Sequence, residues 1–240
     1  LINCSEFPDE RYDDMTQLMK KVVELGAELS TEERHLFTIA YNSAVEDLQE
    51  QWYSILIAEH VTKGNAQEQL IVKMAQLVTR LHDTYIELLN LLDNNLIPKT
   101  GIPENKVFYV KMKADCYAEI AAIGGQYGQT ITCAFFDSLG LAIVEKARQF
   151  YQEAFDIAKD KLRLTHPVQL ALALRFSQFY YATLNDPEKA CQVAQQALVN
   201  ANAELKDSMI IMQLLCDNLT KWTTDTSTDN QDGAAEAGGN

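Results

Sequence analysis

The chain has 240 residues, 47% of them apolar, and its 20 Lys and Arg stand against 34 Asp and Glu for a net charge of −14. That length can bury a core without disulfides or metals, and the acidity argues against binding duplex nucleic acid, which calls for a basic face. No apolar run reaches the roughly 18 uncharged residues of a membrane span, so neither nucleic acid nor membrane is an expected partner. No basic-then-apolar leader is read at Leu1, so no signal peptide is expected. The cysteines Cys4, Cys116, Cys133, Cys191 and Cys216 are widely spaced without a Cys-x-x-Cys pair. They read as reduced thiols, and the expected location is cytoplasmic.

In chain order, Ser30-Thr31-Glu32-Glu33 is a capping box that opens a helix. Leu36, Phe37, Ala40, Tyr41, Ala44, Val45, Leu48, Trp52, Ile55 and Leu56 then follow at helical spacing up to Gly64-Asn65. A second long helix carries Leu70, Met74, Leu77, Leu81, Tyr85, Leu88 and Leu92 on one face, and Pro98 to Pro103 interrupts the chain. A third begins near Glu104, and Ala147, Phe150, Tyr151, Ala154, Phe155 and Ala158 mark another. Pro167 to Leu184 is apolar almost all round, which predicts a central, buried helix. Asn185-Asp186-Pro187-Glu188 is a turn with proline at the first helical position, launching a helix through Leu205, and a last helix is predicted from about Asp207 to Trp222. Sustained period-two alternation is absent, save for a possible trace in the Gly-rich stretch after Gly124. The prediction is an all-α protein of antiparallel hairpins, one domain over 1–222. The tail 223–240, with Asp225, Asp229, Asp232 and Glu236 among small polar residues, is expected to be disordered.

No constellation supports an enzyme, a metal or a cofactor. Glu32-x-x-His35 has di-iron spacing, but no second Glu-x-x-His accompanies it. His60 and His82 sit singly, and His166 in Thr165-His-Pro167 reads as a structural turn residue. Walker, Gly-x-Ser-x-Gly and Gly-x-Gly-x-x-Gly strings are missing.

Four strings carry a resemblance: Glu10-Arg-Tyr-Asp-Asp-Met15, Lys106-Val-Phe-Tyr-Val-Lys-Met-Lys113, Thr165-His-Pro-Val168 with Phe176-Ser-Gln-Phe-Tyr-Tyr181, and Met212-Gln-Leu-Leu-Cys-Asp-Asn-Leu-Thr-Lys-Trp222. In this order they resemble the 14-3-3 family over nearly the whole chain. The resemblance implies nine antiparallel helices, a cup-shaped subunit, an amphipathic groove for phosphoserine or phosphothreonine peptides, and a cytoplasmic dimer.

The phosphate pocket that the resemblance implies does not carry over residue by residue. Its lysine and two arginines on one helix correspond to Asn42, Gln49 and Tyr53, and its Arg-Tyr pair to Ala118 and Glu119. Lys111 alone matches the basic cluster. Charge-assisted hydrogen bonds are worth roughly 1.5–3 kcal/mol each, so losing three is expected to cost about 5 kcal/mol or more. On the other wall, Leu174, Leu214, Asn218 and Trp222 match, whereas Arg175 replaces an asparagine, and Gln178 and Lys221 replace apolar residues. Lys111, Arg175 and Lys221 are therefore candidates for a displaced anion site, the alternative being solvated replacements. The apolar, Gly-rich link from Gly124 to Gly140 is longer than the family's usual connection and reads as a contact surface or an extra helical turn. Glu204 to Ser208 is a shorter loop than usual.

At the dimer interface that the resemblance implies, Arg11 and Asp14 match, but their counterparts are Arg80 and Gln76, and Pro8 and Asp9 interrupt the first helix. A homodimer weaker than usual, or a heterodimer with other 14-3-3 subunits, is the expectation. Three readings follow: an adaptor for protein or peptide clients with weakened phosphate recognition, a phosphopeptide or acidic-peptide binder with a shifted site, or a structural partner of other subunits.

Overall fold

The computed structural model describes residues 10–127, 135–201 and 209–235, all of them helical or in short connections, with no strand among them. Eight α-helices run through the described residues, against the nine that the resemblance implies. They are α1 (Glu10–Glu24), α2 (Thr31–Val61), α3 (Asn65–Leu91), α4 (Pro103–Tyr127), α5 (Phe135–Lys161), α6 (Pro167–Ala182), α7 (Pro187–Ala201) and α8 (Met209–Ala235). Helix α3 continues as a π-helical turn, Leu92–Leu96, and a last helical turn, Ile97–Lys99.

The helix signals act as their chemistry dictates. Ser30 caps α2 through its Oγ, which accepts from Glu33 N at 3.2 Å, while Glu33 Oε2 accepts from Ser30 N at 2.8 Å. Gly64 precedes α3 with φ of 72°, a conformation that glycine adopts without a Cβ penalty. Asn185, at φ of 50°, ends the α6 turn, with Asp186 N donating to Tyr180 O at 2.9 Å.

The contacts group into two compact units: residues 1–100 with 119–140, and residues 101–118 with 141–240. In the first, α1 and α3 pack on α2. Tyr41, fully buried, donates to Glu87 Oε1 at 3.0 Å, and Lys20 Nζ meets Glu87 Oε2 at 2.6 Å. Burial and the facing Glu87 charge push the Tyr41 hydroxyl well above its ordinary pKa, so it stays a donor. In the second, α6, α7 and α8 pack on one another around Leu170, Ala173, Ala190, Ala194, Leu215 and Trp222. No residue from Val168 to Tyr181 is exposed, as the apolar pattern of that segment predicts. Helix α8 keeps its backbone helical to Ala235, past residue 222, where composition puts the start of a disordered tail. The loop expected from Glu204 to Ser208 lies outside the described residues, as do Pro8 and Asp9 and the middle of the Gly124–Gly140 link. That link begins within α4 and ends within α5.

Candidate functional site

Within the second unit, one carboxylate organises the polar face. Lys111 and Asp115 are four residues apart on α4, Tyr151 projects from α5 and Arg175 from α6. Lys111 Nζ lies 2.6 Å from Asp115 Oδ2, while Arg175 Nε at 3.1 Å and the Tyr151 hydroxyl at 2.5 Å both donate to Asp115 Oδ1. Tyr151 is held by ring contacts, stacked on Phe176 at 5.2 Å and tilted against Phe179 at 5.3 Å. The Lys111 and Asp115 side chains are only 15% and 19% exposed. Burial pushes the Asp115 carboxyl up, but the charges of Lys111 and Arg175, with hydrogen bonds from Lys111 and Tyr151, outweigh it. The carboxyl is held below its ordinary range and is ionised at neutral pH.

Two of the three cations expected to form a displaced anion site thus converge, and Asp115 already sits between them. Lys221 is exposed on α8. Asn218 is half-buried, and its Nδ2 has no hydrogen-bond partner among the described residues. Leu214 is 45% exposed, whereas Trp222 is 3% exposed and stacked on Tyr181 at 4.9 Å, with Leu174 packed in the same cluster. Trp222 is therefore part of the core as well as of the expected wall. Sequence reading missed Asp115 and Tyr151. The Lys111-x-x-x-Asp115 spacing was a signal for the first, since side chains four apart on a helix are neighbours.

Asn42, Gln49 and Tyr53 belong to the first unit, on α2. Asn42 is exposed, Gln49 half-buried and Tyr53 44% exposed, with its ring edge-on to Trp52 at 5.4 Å. Spacings of seven and eleven place all three on one helix face. Ala118 and Glu119 are both half-buried on α4.

A family model described as 14-3-3 protein matches residues 8–223. The chain belongs to the 14-3-3 family. It is 48% identical to 14-3-3-like protein 2 of Caenorhabditis elegans over 100% of this chain and 97% of that protein. It is 45% identical to 14-3-3 protein zeta of Bombyx mori, covering 96% and 93%, and 44% identical to 14-3-3 protein beta/alpha of Xenopus tropicalis, covering 94% and 92%. Members of the 14-3-3 family are phosphoprotein-binding adaptors rather than enzymes, and they bind protein clients and dimerise. The 14-3-3 fold is all-helical, in keeping with the helices described above. No described helix is long and apolar enough to cross a membrane.

One of the two expected dimer counterparts also finds a place. Arg80 is engaged within its own protomer, its guanidinium 2.9 Å from Asp13 Oδ2 between α3 and α1. Both side chains are largely exposed, at 48% and 62%. His166 caps α6, its Nδ1 accepting from Val168 N at 3.3 Å, a structural role as its turn suggests.

Proposed function

We propose that this 14-3-3 protein is a cytoplasmic adaptor that binds protein segments with little dependence on phosphate. One observation carries the reading: Lys111 and Arg175 are both committed to Asp115, so an incoming phosphate competes with an internal carboxylate for them. Asn42, Gln49 and Tyr53, which stand where the family resemblance implies cations, are neutral, and no Lys or Arg occurs between Arg34 and Lys63. A dianion placed there gains few of the charge-assisted bonds, each worth roughly 1.5–3 kcal/mol, that make phosphate recognition tight.

The test is anisotropy at physiological salt with an Arg-Ser-x-pSer-x-Pro peptide and its unphosphorylated twin. Both are expected to bind weakly, with the two affinities within about tenfold, or roughly 1.4 kcal/mol. Low-micromolar binding that requires the phosphate would sink the reading. It would favour instead a shifted site in which phosphate displaces Asp115 from Lys111 and Arg175, with Lys221 as a further candidate cation. Such a result would be followed by Arg175→Ala, which should then abolish binding while Arg163→Ala, at an exposed arginine before α6, leaves it intact.

A further inference from the structure

The exposed face of α2 has a chemistry of its own. Asn42, Glu46, Glu50, Tyr53, Ile57 and Val61 are all exposed and form one stripe along the helix. The apolar members are well exposed for their type: Tyr53 44%, Ile57 72% and Val61 83%. Their spacing of four residues is the ridge spacing by which helices interlock. Upstream on the same stripe, Glu46 and Glu50 are also four apart, a like-charge arrangement that destabilises a helix unless a cation bridges it. Neither glutamate pairs with a cation among the described residues, and α2 carries no Lys or Arg beyond Arg34. Single exposed apolar residues need no explanation, but a graded stripe, acidic at one end and apolar at the other, specifies a complement.

We propose that this stripe docks a cationic amphipathic helix of an unphosphorylated partner. Lysines or arginines of the partner face Glu46 and Glu50, and its apolar residues at helical spacing pack on Tyr53, Ile57 and Val61. From Glu46 to Val61 the stripe is about 22 Å long at 1.5 Å per residue, which matches a partner helix of about 15 residues. Direction follows from charge as well. Exposed Lys63 lies just beyond Val61, so the partner's basic half belongs at the Glu46 end. The proposal rests on the phosphate-independent reading above and names the class of segment that reading would admit.

The experiment uses the full chain and a labelled synthetic helix of about 15 residues, with leucines four apart followed by a lysine cluster on the same face. Binding is read by anisotropy. The cationic helix is expected to bind at 50 mM NaCl and to weaken markedly at 500 mM, as screening of exposed charges requires. Two charge reversals, Glu46→Lys with Glu50→Lys, should weaken it about tenfold or more, and Ile57→Ser should weaken it severalfold. A control with equal change in net charge, Glu153→Lys with Asp156→Lys on α5, should leave at least half of that loss unrealised. Circular dichroism confirms that each variant is folded, as substitutions at exposed positions permit. Equal binding by a glutamine-for-lysine helix, equal loss in the α5 control, or no loss in Ile57→Ser overturns the proposal. Unphosphorylated segments that bind while the cationic helix does not would defeat this inference alone, whereas tight phosphate-dependent binding would defeat the parent reading.

Discussion

Replacing Asp115 by Asn removes the charge and one acceptor: Oδ1 can still accept from Tyr151 and Arg175, but an amide N–H donor then faces Lys111 Nζ in place of Oδ2. What is lost is the Lys111 hydrogen bond at 2.6 Å and the ionic part of both cation contacts, Arg175 lying at 3.1 Å. At an effective dielectric near 20 the gross attraction of such a pair is about 5–6 kcal/mol. Most of that is offset by desolvation of Lys111 and Asp115, and the Arg175 side chain, 39% exposed, is screened further. A net loss of about 2 kcal/mol is expected for Asp115→Asn. Asp115→Ala should lose about 1–3 kcal/mol more, because it orphans the hydroxyl of Tyr151, which is 1% exposed. Urea unfolding at one fixed protein concentration measures both, with the slope unchanged between variants. The sign with pH follows from the depressed Asp115 pKa. The contribution is fully present above the ordinary carboxylate value near 4 and is lost as pH falls through the lower folded-state value. The wild type should therefore converge on Asp115→Asn in acid. The same variant frees two cations, so it should bind phosphopeptide more tightly than the wild type. An Asp115→Asn protein within 0.5 kcal/mol of wild type, or a gap that is constant from neutral pH to about pH 2, refutes the reasoning.

Further outcomes are expected elsewhere in the chain. Gln169 is 6% exposed and its buried Oε1 has no hydrogen-bond partner among the described residues, so Gln169→Leu should raise stability by about 1 kcal/mol in the same urea assay. Glu87→Ala should cost about 2–3 kcal/mol, since it strands the buried Tyr41 hydroxyl as well as Lys20, and Tyr41→Phe in that background should recover part of the loss. The dimer is expected to be markedly weaker than is usual for the family, with monomer present at micromolar concentration by sedimentation equilibrium. A dimer persisting at nanomolar concentration would contradict that expectation. Asp13→Asn should change protomer stability by less than about 1 kcal/mol, because the Arg80 pair it removes is exposed.

Much of this fold was legible because its signals are local. The capping box at Ser30 and Glu33, the glycine before α3, the Asn185 turn and the proline that starts α7 each act within a few residues, and each appears where the sequence places it. Where apolar periodicity was the only guide, extents were less legible: Ala147 to Ala158 mark a helix that spans Phe135–Lys161, and the last helix, expected to end at Trp222, runs to Ala235. The π-helical turn at Leu92–Leu96 left no trace in the pattern, because an apolar run reads alike whether the backbone bonds four or five residues back.

The site was legible in part for a different reason. Matching residues against a family pattern gives an expectation of which charges are missing, as with Asn42, Gln49 and Tyr53. It does not reveal which remaining charges are already spent. Lys111 and Arg175 look like cations awaiting an anion until Asp115 is seen between them, and that contact joins positions 60 residues apart. The separation matters physically: a cation held by an internal carboxylate has a competitor at every moment, at an effective concentration no diffusing ligand reaches. An anion can win only by bringing more charge, or more bonds, than Asp115 already supplies. A cationic segment faces no such competitor on α2, where Glu46 and Glu50 pair with no cation among the described residues. On the reading proposed above, the charge expected to select clients of this 14-3-3 protein is therefore the acidic one.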